Sequence, residues 1–304
     1  MRVVSLLPSA SEIVCALGLH DNLVGVSHEC DFPHDLTELP GLTSAKVRTD
    51  SASMTIHGDI EDLLRKGLSV YEVDAVRLAG LAPDVIVTQT QCEVCAVSAG
   101  ELDRALADWV GSRPKIVSLG AVTLEGVWDD IRAVGRAVGR ERKAADVVAV
   151  LQDRVRGLAR EAAGTGQRPR MAVIEWLDPL MSGGNWMPEL VALAGCESVL
   201  AQAGEHSGWI TMDQLKRADP DVILVIPCGF TIEKSRNELV VIAEDAEWRD
   251  LRAVKGGEVF LADGSQYFNR PGPRLVESLE ILCDIAHGSG RDQTATGMRW
   301  ERWG

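Results

Sequence analysis

Four side chains of the kind that bind metals follow two short apolar runs of the chain. His28 and Cys30 come just after "NLVGV", and Cys92 and Cys95 come just after "DVIVTQ". Imidazole and thiolate groups are ligands for zinc, iron and cobalt, and four of them can close a tetrahedral site. We therefore predict that these four donors form a shared metal or ligand-contact site, provided that the two loops are neighbours.

Other interpretations of these cysteines remain open. A single C-x-x-C pair is weak support for zinc, and the two thiols could simply be buried beside a polar loop. A redox C-x-x-C is disfavoured because no thioredoxin-like unit surrounds it. Three further cysteines lie inside helical apolar patterns, which favours a role as small core residues: Cys15, Cys196 and Cys283.

Alternating strand and helix signals predict how these loops are positioned. Short β-branched runs such as "RVVSLL", "DVIVTQ", "MAVIEW" and "DVILVIP" predict buried strands, and helical patterns separate them. Residues 124–160 carry apolar side chains at helical spacing without a proline, which predicts one long helix. The predicted fold class is α/β: two Rossmann-like lobes with mostly parallel sheets, joined by one long backbone helix. The predicted segments are an N-terminal lobe over 1–122, the linking helix over 123–164, a C-terminal lobe over 165–288 and a mobile tail over 289–304.

Composition excludes several functional classes. Of the 304 residues, 46% are apolar and 25% charged, and 45 acidic against 31 basic residues give a net charge of −14. Such a balance argues against a nucleic-acid surface, and no apolar run is long enough to insert in a membrane. The opening "MRVVSLLPSASEI" lacks a secretory signal pattern, so we expect a cytoplasmic protein, periplasmic or exported only if the true start lies upstream.

Phrases distributed over residues 2–285 resemble the class III substrate-binding proteins of ABC-type importers, and most closely their cobalamin-binding members. They are "RVVSLLPSASEIVCALG", "LVGVSHECDFP", "LAPDVIVTQ", "WITMDQLKRADPDVILV" and "FNRPGPRLVESLEIL". The resemblance implies two lobes with a small-molecule ligand held in the cleft between them. It implies cobalamin or another corrinoid, or a haem or siderophore, as the ligand. Importer docking in this family uses an acidic residue on each lobe; Asp213 matches one position but Val76 occupies the other, so docking is doubtful.

The loops after the predicted strands supply the expected ligand contacts. Backbone amides of the "PSASE" turn could hold an acidic or amide group, although Ser9 or Ser11 could merely cap the helix. Aromatic side chains suit the walls of a flat macrocycle, although tryptophan also fills gaps between helix and sheet. The predicted contacts are Pro8, Ser9, His28, Cys30, Gln91, Cys92, Cys95, Trp176, Trp186, Trp209, Phe230 and Tyr267.

The sequence thus predicts a binding protein without catalysis, for a corrinoid or a related metal chelate. It contains no recognisable Ser-His-Asp context, Walker loop or dinucleotide fingerprint. The alternative is a metal-ion or metallocluster protein, or an enzyme, in which His28, Cys30, Cys92 and Cys95 hold zinc or iron. A haem iron is a further alternative to cobalt.

Overall fold

The computed structural model describes residues 1–66, 68–89, 99–107, 109, 112–288 and 299–304. Gln91, Cys92 and Cys95 lie outside the described residues. The chain divides into two compact units. The first comprises Met1–Ser51, Thr55–Ala121 and Glu125–Val150, and the second Ala52–Met54, Val122–Leu124 and Leu151–Gly304.

Strands and helices alternate along the chain, as the sequence pattern predicts. The strands are β1 Val3–Ser5, β2 Leu23–Val26, β3 Thr43–Ala45, β4 Tyr71–Val73, β5 Val85–Gln89, β6 Lys115–Leu119, β7 Arg170–Trp176, β8 Met181–Ser182, β9 Glu197–Val199, β10 Val222–Val225, β11 Val259–Ala262 and β12 Trp300–Arg302. The helices are α1 Pro8–Ala16, α2 Ser53–Arg65, α3 Ala75–Leu81, α4 Ala99–Ala105, α5 Leu124–Ala137, α6 Glu141–Ala163, α7 Met187–Leu193, α8 Met212–Ala218, α9 Ile232–Ala243, α10 Ala246–Asp250, α11 Arg252–Lys255 and α12 Leu275–His287.

A parallel sheet in the order β2-β1-β5-β6 organises the described part of the first unit. Its central strands β1 and β5 are buried along their whole length, which explains why each begins with consecutive apolar residues. Val4, Leu6 and Ile86 join a core cluster with Leu78 of α3, and burial of each such side chain contributes about 1.5–3 kcal/mol. A separate antiparallel pair, β3 with β4, completes the strands of this unit among the described residues.

The second unit has a sheet in the order β12-β11-β10-β7-β8, with β9 also pairing with β7. The pairs within β11-β10-β7-β9 are parallel, whereas β8 and β12 run antiparallel to their neighbours. Ile223 and Val225 of β10 pack in the core with Trp248, which is fully buried. The predicted fold class, with α/β lobes and mostly parallel sheets, is confirmed.

The connecting segment differs from the single helix that the sequence predicts over 123–164. Helix α5 ends at Ala137 and α6 begins at Glu141. Gly139 adopts a left-handed conformation with φ of 66°, and the Arg140 amide donates to the Gly135 carbonyl at 2.7 Å. This six-to-one hydrogen bond with glycine just past the helix end is a Schellman cap, which stops α5 without a proline.

Residues 299–304 also differ from the predicted mobile tail over 289–304, whose residues 289–298 lie outside the described residues. Residues Trp300–Arg302 form β12, which pairs antiparallel with β11. Arg299 is buried and lies 3.1 Å from Glu280 and 3.6 Å from Asp284 across ion pairs. Edge pairing together with these buried ion pairs fixes residues 299–304 on the second unit. The other predicted segment boundaries stay a prediction.

None of the helices within the described ranges combines the length and the apolar character that crossing a bilayer requires.

Candidate functional site

The loop that follows β2 carries the predicted donor His28, and a polar cluster surrounds it. His28 is exposed, and its Nδ1 atom lies 2.6 Å from the Thr43 hydroxyl of β3. The same hydroxyl accepts the His28 backbone N–H at 3.1 Å and donates to the Ser27 hydroxyl at 3.0 Å. The loop is therefore tied to the β3–β4 pair by both its backbone and its imidazole ring.

Tyr71, the first residue of β4, completes this cluster. Its ring centroid lies 5.6 Å from that of His28 at a tilt of 46°, and its hydroxyl donates to Glu29 Oε1 at 2.9 Å. We call His28, Glu29, Thr43 and Tyr71 the β2-loop cluster. Thr43 and Tyr71 are not predictable from the sequence, because β3 and β4 carry no motif. The rarity of tyrosine in this chain is the one signal that points to Tyr71.

Cys30 does not join the β2-loop cluster. Its side chain is buried, and its sulfur lies 3.1 Å from the Ser11 hydroxyl of α1. Within the described ranges, no group of three or more His, Cys, Asp or Glu side chains could hold a metal ion. The predicted four-donor site also needs Cys92 and Cys95, which lie outside those ranges, so it stays a prediction.

The "PSASE" turn forms the start of α1. Pro8 occupies the first turn, but Leu7 rather than a serine is the N-cap, and no side chain caps the helix. Ser9 is buried, and its hydroxyl has no hydrogen-bond partner in the part of the chain that the structure describes. Burial and the negative charges of Asp35 and Glu12 raise the pKa of Cys15, on the next turns of α1, to about 11. That thiol stays protonated and is a poor metal ligand near neutral pH.

Four of the five aromatic residues predicted to contact ligand are buried within the second unit. Trp176 and Phe230 pack against each other with ring centroids 5.2 Å apart, and Trp186 donates to the Phe268 carbonyl at 3.1 Å. The guanidinium of Arg274 lies 4.6 Å from the Tyr267 ring centre. Burial raises the pKa of Tyr267, and the positive charge of Arg274 partly opposes that effect. These contacts favour the packing interpretation, while ligand contact by the four side chains stays a prediction.

Trp209 is the exception among the predicted aromatic residues. It is 55% exposed, next to Gly208, whose carbonyl accepts hydrogen bonds from Ser182. Trp209 also forms an antiparallel bridge with Met181 of β8. A large indole that is exposed over about half of its surface can contact a ligand or partner.

Comparison with known proteins gives relatives along almost the whole chain. A vitamin B12-binding protein of Vibrio cholerae is 24% identical over 288 residues, covering 93% of this chain and 87% of the relative. An ABC transporter substrate-binding lipoprotein of Bacillus subtilis is 23% identical, covering 93% and 79%. Among solved structures, a periplasmic haem-binding protein of Roseiflexus matches with a TM-score of 0.70 at 19% identity, covering 94% of this chain and 99% of that one.

These relatives correct one expectation from the sequence. The chain was expected to be cytoplasmic because its opening residues lack a secretory pattern. The Bacillus relative is a substrate-binding lipoprotein, and the family that matches is one of periplasmic proteins, so the cytoplasmic expectation is wrong. The expectation fails because the family is defined by its fold and binding loops, and the opening residues of a folded domain do not report where the protein works.

A family model described as "Periplasmic binding protein" matches residues 3–265, which is well over half of the chain. The match includes the parallel sheet of the first unit and strands β7 to β11 of the second unit. It agrees with the resemblance to class III substrate-binding proteins drawn from the sequence, which is thereby confirmed. The chain belongs to the periplasmic binding protein family.

Proposed function

We propose that this protein binds a corrinoid of the cobalamin type and does so without catalysis. The observation that carries the proposal is the similarity to a vitamin B12-binding protein along 93% of the chain. A cobalamin-binding protein of Halobacterium salinarum, 24% identical over 95% of the chain, supports the same ligand class. Because the family consists of binding proteins, the residues discussed above are assigned to recognition rather than to bond making.

The geometry of the first unit supports a place for the ligand. Open α/β sheets bind ligands beyond the carboxyl ends of their parallel strands. The β2-loop cluster lies at that end of β2, where it offers an imidazole, a phenol and a carboxylate. A corrinoid presents a metal, a flat apolar ring and peripheral amide groups, which these three side-chain types can contact. The predicted position of the ligand between the lobes stays a prediction.

Trp209 supports recognition of a large ring from the second unit. An indole contributes up to about 150–250 Å² of contact area, with an N–H that can donate to an amide or carbonyl. Since Trp209 is 55% exposed, most of that area remains open for a ligand to cover. Trp176 and Phe230 would act indirectly by holding the strand and loop in place.

We also infer that the protein works outside the cytoplasm and delivers its ligand to an ABC-type importer. Asp213 is exposed in the first turn of α8, where it pairs with Arg217. In the first unit, Val76 is 86% exposed on α3, and the exposed carboxylate of Asp74 caps the same helix. Asp74 thus supplies an acidic group two residues from the position where the sequence places valine, and this supports the proposal of importer docking.

Equilibrium dialysis against aquacobalamin, cobinamide and haemin tests the ligand class directly. We expect corrinoid to be retained at micromolar protein, with haemin bound more weakly. A Trp209→Ala variant should weaken corrinoid binding, whereas Trp109→Ala, which removes an indole of the first unit, serves as the matched control. Retention of none of these ligands would refute the proposal, and retention of haemin alone would reassign the ligand.

A further inference from the structure

The hydrogen bonds around Thr43 favour one tautomer of the His28 imidazole. A threonine hydroxyl has one proton to donate and two lone pairs to accept. Thr43 donates its proton to the Ser27 hydroxyl at 3.0 Å and accepts the His28 backbone N–H at 3.1 Å. The remaining contact is the 2.6 Å approach of His28 Nδ1, for which Thr43 has only a lone pair left. This arrangement favours a proton on Nδ1 that is donated to Thr43.

The position of that proton decides what the other ring nitrogen can do. In a neutral imidazole one nitrogen donates and the other accepts, so a protonated Nδ1 leaves the lone pair on Nε2. His28 is exposed, and its ring is anchored through Nδ1, so Nε2 is the nitrogen left to bind a ligand. Metal-binding histidines are prepared in this way, with a second partner fixing the tautomer and the ring orientation.

Further contacts limit rotation of the imidazole. Tyr71 lies 5.6 Å away by ring centroids, and its own hydroxyl is held by Glu29. The Ser27 hydroxyl also accepts the Glu29 backbone N–H at 3.3 Å, so the loop is braced around the ring. These contacts hold the His28 ring in one orientation before any ligand binds.

We propose that His28 coordinates the metal of the bound chelate through Nε2. The inference rests on the proposed function and specifies it: the preferred ligand must have an exchangeable axial position. The Nε2 lone pair forms the new metal–nitrogen bond, and the axial water leaves with its own electron pair. No oxidation or reduction takes place, and the Nδ1 proton stays on the ring, donated to Thr43.

The tautomer can be tested in the ligand-free protein. Long-range ¹H–¹⁵N correlation of the imidazoles, assigned with a His28→Gln variant, should show Nδ1 protonated and Nε2 unprotonated in His28. Thr43→Val should convert this residue to a mixture of tautomers, and Thr43→Ser should retain the native pattern. A His28 ring protonated at Nε2 in the wild type would overturn the inference.

Metal coordination is tested by visible absorbance during titration with two corrinoids. Diaquacobinamide has exchangeable axial positions, whereas cyanide ligands block both faces of dicyanocobinamide. We expect the wild type to shift the corrin bands of the diaqua form. His28→Ala should bind it about 10–100-fold more weakly and without the shift. The loss of affinity should be much smaller for the dicyano form, because cyanide already occupies both axial positions and only the non-coordinating contacts of His28 are removed. His34→Ala, which removes another exposed histidine of the same unit, is the matched control.

The possible results separate the two proposals. If the diaqua form binds the wild type with an unshifted spectrum, or shifts equally in His28→Ala, the coordination is refuted while corrinoid binding stands. If only haemin binds and its Soret band changes in a His28-dependent way, coordination is supported and the corrinoid assignment fails. If neither chelate binds, both proposals fail together.

Discussion

Gly135→Ala should destabilise the protein, although glycine-to-alanine changes inside helices normally stabilise it. The usual gain is roughly 0.5–1 kcal/mol, because alanine loses less backbone entropy on folding. At Gly135 an added Cβ would lie 2.4 Å from the Ala144 Cβ and 3.3 Å from the Arg140 carbonyl oxygen. Overpacking of this kind costs about 1–3 kcal/mol, so we expect a net loss of about 1–2 kcal/mol in unfolding free energy.

Gly157→Ala is the matched control, because it makes the same change in the neighbouring helix. Gly157 lies inside α6, and a Cβ there would meet no atom within 4 Å. Urea unfolding followed by far-UV circular dichroism should show a higher midpoint for Gly157→Ala and a lower one for Gly135→Ala, with similar slopes. A rise in the midpoint of Gly135→Ala equal to that of the control would refute the close approach of α5 and α6 at their corner.

A double variant separates the contact from general damage to α5. Combining Gly135→Ala with Ala144→Gly removes the Cβ that the new methyl group would meet. Residues in direct contact show interaction energies of about 0.5–3 kcal/mol in such cycles. We expect the double variant to be more stable than the sum of the two single changes, by an amount within that range. If the two changes in unfolding free energy simply add, the loss of stability in Gly135→Ala does not arise from contact with Ala144.

Three further outcomes follow from buried groups of the second unit. Burial raises the pKa of Cys196 to about 12, so its alkylation by iodoacetamide, followed by peptide mass spectrometry, should be far slower than that of half-buried Cys228 until urea unfolds the chain. The Cys196 thiol loses its proton near pH 9.0 in the unfolded chain and near pH 12 in the folded protein. Between these pH values the free energy of unfolding should therefore fall by about 1.4 kcal/mol per pH unit. The same fall in a Cys196→Ala variant would contradict this. Gly264→Ala places a Cβ 2.3 Å from the Pro227 carbonyl oxygen and should lower the urea midpoint strongly, whereas Gly208→Ala, with open space around it, should be nearly neutral.

The strands could be predicted because burial on both faces leaves a simple sequence signal. In β1, β5 and β10 every residue is buried, and each strand begins with consecutive apolar, mostly β-branched residues. The connecting helices could not be separated in the same way. Helical spacing of apolar side chains continues across the break, since both helices bury one face, and only Gly139 marks it.

The closing strand β12 was missed for a related reason. A three-residue edge strand has no periodicity, and its place is fixed by partners distant in the chain. The Trp300 ring packs edge-on to Phe260 of β11 at 5.5 Å, and Glu301 pairs with Arg236 of α9 at 2.6 Å. These contacts form only in the folded protein. The sequence of residues 300–302 therefore shows that no helix is present but does not predict a strand.

The candidate site shows the same limit at the level of single atoms. Sequence spacing identified His28 as a donor, because histidine after a strand in a parallel sheet tends to reach the carboxyl edge. It could not say which nitrogen is available, because that depends on Thr43, which β3 delivers from a separate strand pair. By its position after β2, Cys30 is equivalent to His28. In the structure, however, the Cys30 sulfur contacts the Ser11 hydroxyl of α1. The local sequence therefore determines which donor types are present. Whether each donor atom can reach a metal depends on its hydroxyl partner, which is Thr43 for His28 and Ser11 for Cys30. Thr43→Val leaves every predicted metal-binding residue in place. For this reason it tests the assignment of Nε2 as the metal-binding nitrogen more sharply than His28→Ala does.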